Sequence, residues 1–259
     1  MISVVIRNKN EDEALAFLLK NLTERYKDDI DEIIVIDNLS TDTSEAVTKK
    51  YGARFVTIKN FSFGGSANLC AKEAKHPIIV IFSAHSYPVS HDFFKLIKEK
   101  FKANNKLAGL RCLHNSNDYK NYINNIPATK DPNKSGLIFA GSAFSRNVWE
   151  KIPFKEDVAT FEDKEWTTRV LKAGYHIDFV ASIFNYDIKR TKKQLFFRFK
   201  NDVKGNYQLW HEDVTFLKAS KGFLGSIIQT VKCFFIDLGY AISRYIFLIK
   251  FLFNKPDKF

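Results

Sequence analysis

The chain has 259 residues, 45% of them hydrophobic and 27% charged, and carries a net charge of +11. That balance excludes a disordered chain and fits one α/β-sized domain with an appendage. Cys70, Cys112 and Cys233 are odd in number and follow no ligand or bridge spacing, so neither a disulfide framework nor a cysteine metal site is expected, and a reducing compartment is. The start, Met1 to Arg7, turns charged too soon for a signal peptide. A basic chain with 25 Phe and 10 Tyr suits nucleic acid, an anionic membrane surface or a phosphorylated small molecule, and composition does not choose among them.

The first expected strand, residues 2–6, runs into a polar turn, Arg7-Asn8-Lys9-Asn10-Glu11, and a helix over 11–26. The apolar, β-branched run from Ile33 to Ile36 then reads as a buried strand of a parallel sheet, ending on Asp37. Ser40, Thr41 and Thr43 follow where a helix needs its N-cap. A carboxylate at that strand end lies where open α/β sheets bind ligands and can accept from a nucleobase N–H or a ribose hydroxyl. A turn whose Asp and Ser only cap is the alternative.

Helix 42–51 and strand 54–58 precede a helix over 66–74 that opens on Gly64-Gly65-Ser66-Ala67-Asn68. Small residues there let a ligand approach backbone N–H groups, although a plain turn has the same composition. Strand 78–82 ends in Ser83-Ala84-His85-Ser86, before helix 91–103 and strand 107–113. This alternation argues for a doubly wound, mostly parallel sheet. Residues 114–135, rich in Asn, Asp, Lys and Tyr, read as a long irregular loop of functional kind, and 136–141 as a further apolar strand. A helix over 163–173 stops at Gly174, and a strand follows at 176–180.

From about Lys218 the pattern changes. Residues 222–253 are strongly apolar, but Lys232, Asp237, Arg244 and Lys250 interrupt any run near the ~20 residues a bilayer span needs. Wound as a helix, Phe223, Leu224, Ile227, Val231, Phe234, Leu238, Ile242, Tyr245, Ile249 and Leu252 share one face, while Lys221, Gln229, Lys232, Ser243 and Lys250 gather on the other. The expectation is an amphipathic helix in a membrane interface, with packing onto the α/β domain or a subunit partner as the alternative.

Ordered segments across residues 2–206 resemble the family 2 glycosyltransferases of GT-A fold, and more narrowly their rhamnosyltransferase-like branch. They are Ser3 to Glu11, the Asp37 segment, Phe61 to Asn68, Phe82 to Pro88, and Phe161-Glu162-Asp163-Lys164-Glu165-Trp166. The resemblance implies a Rossmann-like, mostly parallel mixed sheet flanked by helices over residues 1–215, and the amphipathic pattern adds a membrane-associating helical segment over 216–259. It further implies inverting transfer of a sugar from a nucleotide-sugar donor, with Arg7, Lys9, Asp37 and, second to them, Asn10 or Glu11 at the nucleotide, and Asn68 on the donor side. Where most relatives place an Asp-x-Asp for Mn²⁺ or Mg²⁺, this chain has Ser83-Ala84-His85, as that branch characteristically does. His85 can ligate a softer divalent ion or donate to phosphate, or be structural. The branch's His-x-His is here Asn185-Tyr186-Asp187, so Asp187 is a candidate ligand and Lys189 or Arg190 a partner for the leaving group. By the family pattern Asp163 is the base, with Glu162 and Trp166 on the acceptor side and Arg169 a further candidate; helix capping is the alternative for the acidic pair.

The function expected is a glycosyltransferase of cell-surface polysaccharide biosynthesis, acting on a glycan or lipid-linked oligosaccharide. It would lie peripherally on the inner, cytoplasmic face of the cell membrane, with homo-oligomers through the C-terminal helices as an option. The alternative is a catalytically weak nucleotide-binding scaffold subunit of a glycan-assembly complex. No nucleic-acid module is found, and nucleic acid is not an expected partner.

Overall fold

The computed structural model describes residues 1–257, which divide into two compact units, Met1–Trp210 and one beginning at His211. In chain order the strands are β1 (Ile2–Asn8), β2 (Glu32–Asp37), β3 (Arg54–Thr57), β4 (Ile78–Ser83), β5 (Ser86–Pro88), β6 (Leu107–Leu113), β7 (Gly141–Ser145) and β8 (His176–Tyr186). The helices are α1 (Asp12–Arg25), α2 (Ser44–Lys50), α3 (Phe63–Glu73), α4 (Phe93–Ala103), α5 (Ser116–Ile123), α6 (Pro132–Ser135), α7 (Arg146–Lys151), α8 (Glu162–Lys172), α9 (Lys192–Trp210) and α10 (Phe216–Phe253). The strands form one eight-stranded sheet in the order β3-β2-β1-β4-β7-β6-β8-β5. The pairs β3–β2, β2–β1, β1–β4 and β6–β8 are parallel, and β7 and β5 run antiparallel to their neighbours. The sheet is therefore mixed and mostly parallel, with helices on both faces.

Alternation along each strand builds two cores. Ile2, Val4 and Ile6 of β1 and Val80 and Phe82 of β4 face α1 and α4, whose Leu15, Leu18, Leu19, Leu22, Phe93 and Phe94 are fully buried. Val5, Ile34, Ile36, Ile79 and Ile81 face the other way, onto Ala67, Cys70 and Ala71 of α3 and Trp166 and Val170 of α8.

The chain passes outward from β1 to β2 and β3, then returns to the other side of β1 as β4. That reversal is the topological switch point, where open α/β sheets bind ligands outside the carboxyl ends of their strands. Register places Asn8 beside Asp37 and Arg7 beside Ser83, so the expected nucleotide groups stand in a row along that edge.

Some expectations are corrected. Residues 114–135 are not irregular throughout: Asn115 caps α5 by accepting from the N–H groups of Asn117 and Asp118, and Asp131 caps α6 ahead of Pro132. Strand β7 begins at Gly141, leaving 136–140 as a connection outside the sheet. The strand expected at 176–180 runs on to Tyr186, because its second half pairs with β5. Helix α9 was not anticipated.

In the second unit α10 runs for 38 residues without a buried side chain. Its apolar surface exceeds the expected stripe, since Ile236, Tyr240, Phe247, Leu248 and Phe251 are exposed outside it. Among the described residues no helix is long and apolar enough to cross a membrane.

Candidate active site

Arg7, at the end of β1, joins four parts of the first unit. Its Nη1 donates to Glu162 Oε1 on α8 at 2.9 Å and to Ser66 Oγ on α3 at 3.3 Å. Its Nη2 donates to the Phe139 carbonyl at 2.9 Å, and the guanidinium lies 5.5 Å from the Phe139 ring centre. Burial pushes the Glu162 carboxyl up, and the adjacent Arg7 cation only partly offsets it. Glu162 thus sits on Arg7 inside the protein.

Asp163 is buried beside it. Its Oδ2 accepts from the Phe139 N–H at 3.2 Å and its Oδ1 from the Lys164 N–H at 2.8 Å. Burial pushes the Lys164 ammonium down to about 8, and its Nζ donates to the Leu137 carbonyl. Thr167 Oγ1 accepts from the Leu137 N–H at 3.1 Å, and Arg111 Nη1 donates to the Gly136 carbonyl at 2.6 Å. The connection 136–139 is therefore pinned by side chains of β1, β6 and α8. Phe161, which precedes the acidic pair, takes a left-handed φ of 67° and sharply opens α8. Helix α9 packs on this corner. A Cβ on Gly205 would meet the Phe161 ring and Thr160 Cγ2 at 2.7 Å, and Gln208 bonds to the backbone of Asp157 and Ala159.

Asp37 is almost wholly enclosed. It accepts from Ser40 Oγ at 2.6 Å, the Ser40 N–H at 2.8 Å and Asn8 Nδ2 at 2.8 Å. Asn10 accepts from the Thr41 N–H, while Lys9 is exposed. Burial, with Asp42 nearby, pushes the Glu11 carboxyl up. Asp37 thus shapes the β2 turn, and Lys9, Asn10 and Glu11 border it.

Asn68 lies away from this row. Its Nδ2 donates to Phe154 O and Glu156 Oε1, and its Oδ1 accepts from Trp149 Nε1 and the Phe154 N–H, all within 2.8–2.9 Å. A Cβ on Gly64 would stand 1.9 Å from the Lys155 carbonyl oxygen. The small residues opening α3 thus admit the chain's own backbone. Trp166 is fully buried against Phe144 and Phe154 and donates its indole N–H to Ile152 O, so it belongs to the core. Arg169 forks onto Glu165 at 2.7 and 2.8 Å on the outer face of α8. A cavity of about 520 Å³ lies on that face, lined by Lys155, Lys164, Arg169, Gln208 and Trp210 among others. Arg7, Asp37 and His85 do not line it.

His85 follows β4 at the switch point. Both ring nitrogens are buried without a partner, and the ring meets Tyr186 edge-on at 5.0 Å. Burial, then the cations of Arg190 and Arg7, push it down to about 4, so the imidazole is neutral near pH 7. The His85 carbonyl accepts from the Asp187 N–H at 3.0 Å, and Arg190 donates to the Tyr186 hydroxyl at 2.9 Å. A neutral imidazole with free nitrogens is in the form a metal requires. Yet the described residues hold no group of three His, Cys, Asp or Glu that could ligate an ion. The donor set fits a divalent ion only if the substrate's own oxygens complete the shell.

A cluster beyond the expected residues lies next to this one. Fully buried Asp118 accepts from Arg111 Nε at 2.9 Å and pairs with His114 Nδ1 at 2.6 Å, and the His114 ring stacks on Phe184 at 4.6 Å. Burial pushes the Asp118 carboxyl up, but the His114 and Arg111 bonds bring it below the usual range. In sequence, Arg111 looks like a strand residue and Asp118 like one polar residue of an irregular loop, so nothing there signals their meeting.

This sheet, with its buried acidic pair beside the switch point, defines an α/β domain of the GT-A type. The mannosyltransferase of Pyrobaculum calidifontis, solved with GDP-mannose and Mn²⁺, superposes with a TM-score of 0.64 at 17% identity, over 83% of this chain and 65% of that one. Glucosyl-3-phosphoglycerate synthase of Mycobacterium tuberculosis, solved with phosphoglyceric acid, gives 0.62 at 15% identity, over 82% and 81%. In sequence, uncharacterized glycosyltransferases of Mycobacterium bovis and Mycobacterium tuberculosis are 27% identical over 110 residues, 42% of this chain and 48% of theirs. The chain spans about half the length of these curated relatives. Residues 3–167 match the family described as Glycosyl transferase family 2, more than half of the chain, and the chain belongs to that family.

Two outcomes follow from this geometry. Arg7→Met leaves the Glu162 carboxylate buried and unpaired, a loss of about 3–5 kcal/mol in urea unfolding at neutral pH. The loss shrinks on acidification, as Glu162 takes up a proton. The folded-state depression of His85, from 6.5 to about 4, makes the unfolded chain bind the extra proton between those values, so stability falls as pH drops through that window. His85→Gln removes this term, and unfolding curves across the window are then flatter than wild type by about 2 kcal/mol.

Proposed function

We propose that the chain is an inverting glycosyltransferase that moves a sugar from a nucleotide-sugar donor to an acceptor hydroxyl. The observation that carries this reading is the acidic pair on α8, tied by Arg7 to the end of β1 at the switch point. Asp163 takes the proton of the acceptor hydroxyl as its oxygen attacks the anomeric carbon. The bond from that carbon to the nucleoside diphosphate breaks on the opposite side. Its two backbone hydrogen bonds fix the Asp163 carboxylate while leaving further lone pairs to accept. Glu162 stays on Arg7 and positions the start of α8. The nucleotide lies along the turns after β1 and β2, with Lys9, Asn10, Glu11 and the turn shaped by Asp37 as its wall. Lys189, Arg190 and His85 face the diphosphate end. A divalent ion there, held by His85 with Asp187, would neutralise charge on the leaving group.

Rhamnose is the donor sugar suggested by the sequence branch, and a glycan or lipid-linked oligosaccharide of surface polysaccharide synthesis is the acceptor. The unbroken exposure of α10 supports a peripheral place on an anionic membrane, at the inner face. The same exposed surface supports self-association as the alternative cover. A weak or inactive scaffold subunit is the second reading, favoured by the absence of an Asp-x-Asp after β4.

A nucleotide-sugar screen, each donor with and without chelator, separates these. Turnover of one donor is expected, with Asp163→Asn slower by about 10²–10⁴-fold at unchanged donor affinity. A fully active Asp163→Asn sinks the base assignment; donor binding without turnover in wild type supports the scaffold. Removal of residues 216–259 is expected to weaken flotation with phosphatidylglycerol vesicles, and undiminished flotation refutes the membrane role of α10.

A further inference from the structure

We infer that the outward face of α9 docks on an anionic lipid bilayer, so that the catalytic unit itself rests on the membrane. The inward face of α9 is fixed by Gly205, buried against Thr160 and Phe161, and by Gln208, bonded to the loop before them. At about 100° per residue, Phe196, Phe199, Val203 and Tyr207 fall on one strip turned away from Gly205. Lys193, Lys200 and Lys204 flank that strip. Phe196, Phe199 and Tyr207 are 61%, 62% and 58% exposed, and Leu195 and Phe197 are exposed beside them. The Lys200 ammonium lies 5.2 Å from the Phe196 ring centre. Asp202 is the helix's one acidic residue, and Arg198 already pairs with it at 3.4 Å.

Exposed aromatic surface of this extent is unfavourable in water and marks a surface that is covered in use. The charge decides the cover. A second copy would bring the same cationic face against this one, which Coulomb repulsion opposes. An anionic bilayer instead neutralises the lysines while the rings enter the acyl boundary. Helix α9 is about 10–12 Å thick. With one side on lipid and the other on Phe161, it sets the acidic pair about a helix's width above the bilayer, within reach of a lipid-anchored acceptor. The docking does not depend on the donor chemistry proposed above; only the acceptor's placement rests on that chemistry.

The test uses the full chain carrying Cys233→Ser and Phe196→Cys, labelled with nitrobenzoxadiazole; Cys70 and Cys112 are buried and escape the label. With vesicles of phosphatidylglycerol and phosphatidylcholine the emission is expected to shift to the blue and to be quenched by nitroxide lipids. Pure phosphatidylcholine gives little response, and a label at exposed Lys49→Cys gives none. Phe196→Glu with Phe199→Glu, at an unchanged unfolding midpoint, lowers vesicle affinity about tenfold or more. An unresponsive probe at 196, whether the chain is vesicle-bound or free, overturns the inference. So does a blue-shifted probe without vesicles, which means the face is covered by protein, or one that responds to an oligonucleotide and not to lipid.

Discussion

The ion pair between Arg7 and Glu162 is the constraint on which the first unit is organised. A buried carboxylate is costly, and Glu162 tolerates its place because a guanidinium 2.9 Å away is itself satisfied by Phe139 O and Ser66 Oγ. One side chain thereby joins β1, α3, α8 and the connection 136–140. It also aligns Asp163, since the Phe139 residue that accepts from Arg7 through its carbonyl donates its N–H to Asp163. The candidate base is held by backbone that another charged pair holds in turn.

Most of the sheet was legible in the sequence because β1, β4 and β6 are buried on both faces and the early helices obey the 3.6 period. Four of the first strands end within two residues of where the apolar runs end. What was hidden depends on partners far along the chain. Asn68 looks available at a helix start, but segment 149–156 takes every one of its hydrogen bonds. Trp166 sits beside the acidic pair in sequence, yet a helix turns it into the core. Strand β5 is three residues long and exists through its pairing with β8. Helix α9 is not legible in the sequence because its aromatic residues, with lysines among them, are not on a buried stripe.

The two ends of the row at the switch point differ in kind. Around Asp37 the carboxylate itself is fully partnered, giving a turn preorganised before anything binds, although Asn8 Oδ1 beside it is buried without a partner. At His85 the reverse holds: its ring nitrogens are unpaired. An unpartnered buried polar atom costs free energy in the folded chain, which is recovered when a ligand supplies the missing contact. The Asp37 turn is the more rigid end of this edge, and His85 holds most of its unspent hydrogen-bonding capacity.

Gly205 illustrates how local and global preferences part. Within a helix, alanine is favoured over glycine by about 0.8–1.0 kcal/mol, and by propensity alone α9 would gain from the exchange. Its missing Cβ is instead the space in which the Phe161 ring lies, and Phe161 is the left-handed residue that starts α8. A change that makes α9 a better helix would therefore move the corner carrying Glu162 and Asp163. The most helix-averse choice in α9 thus decides where a buried acidic pair far back in the chain sits.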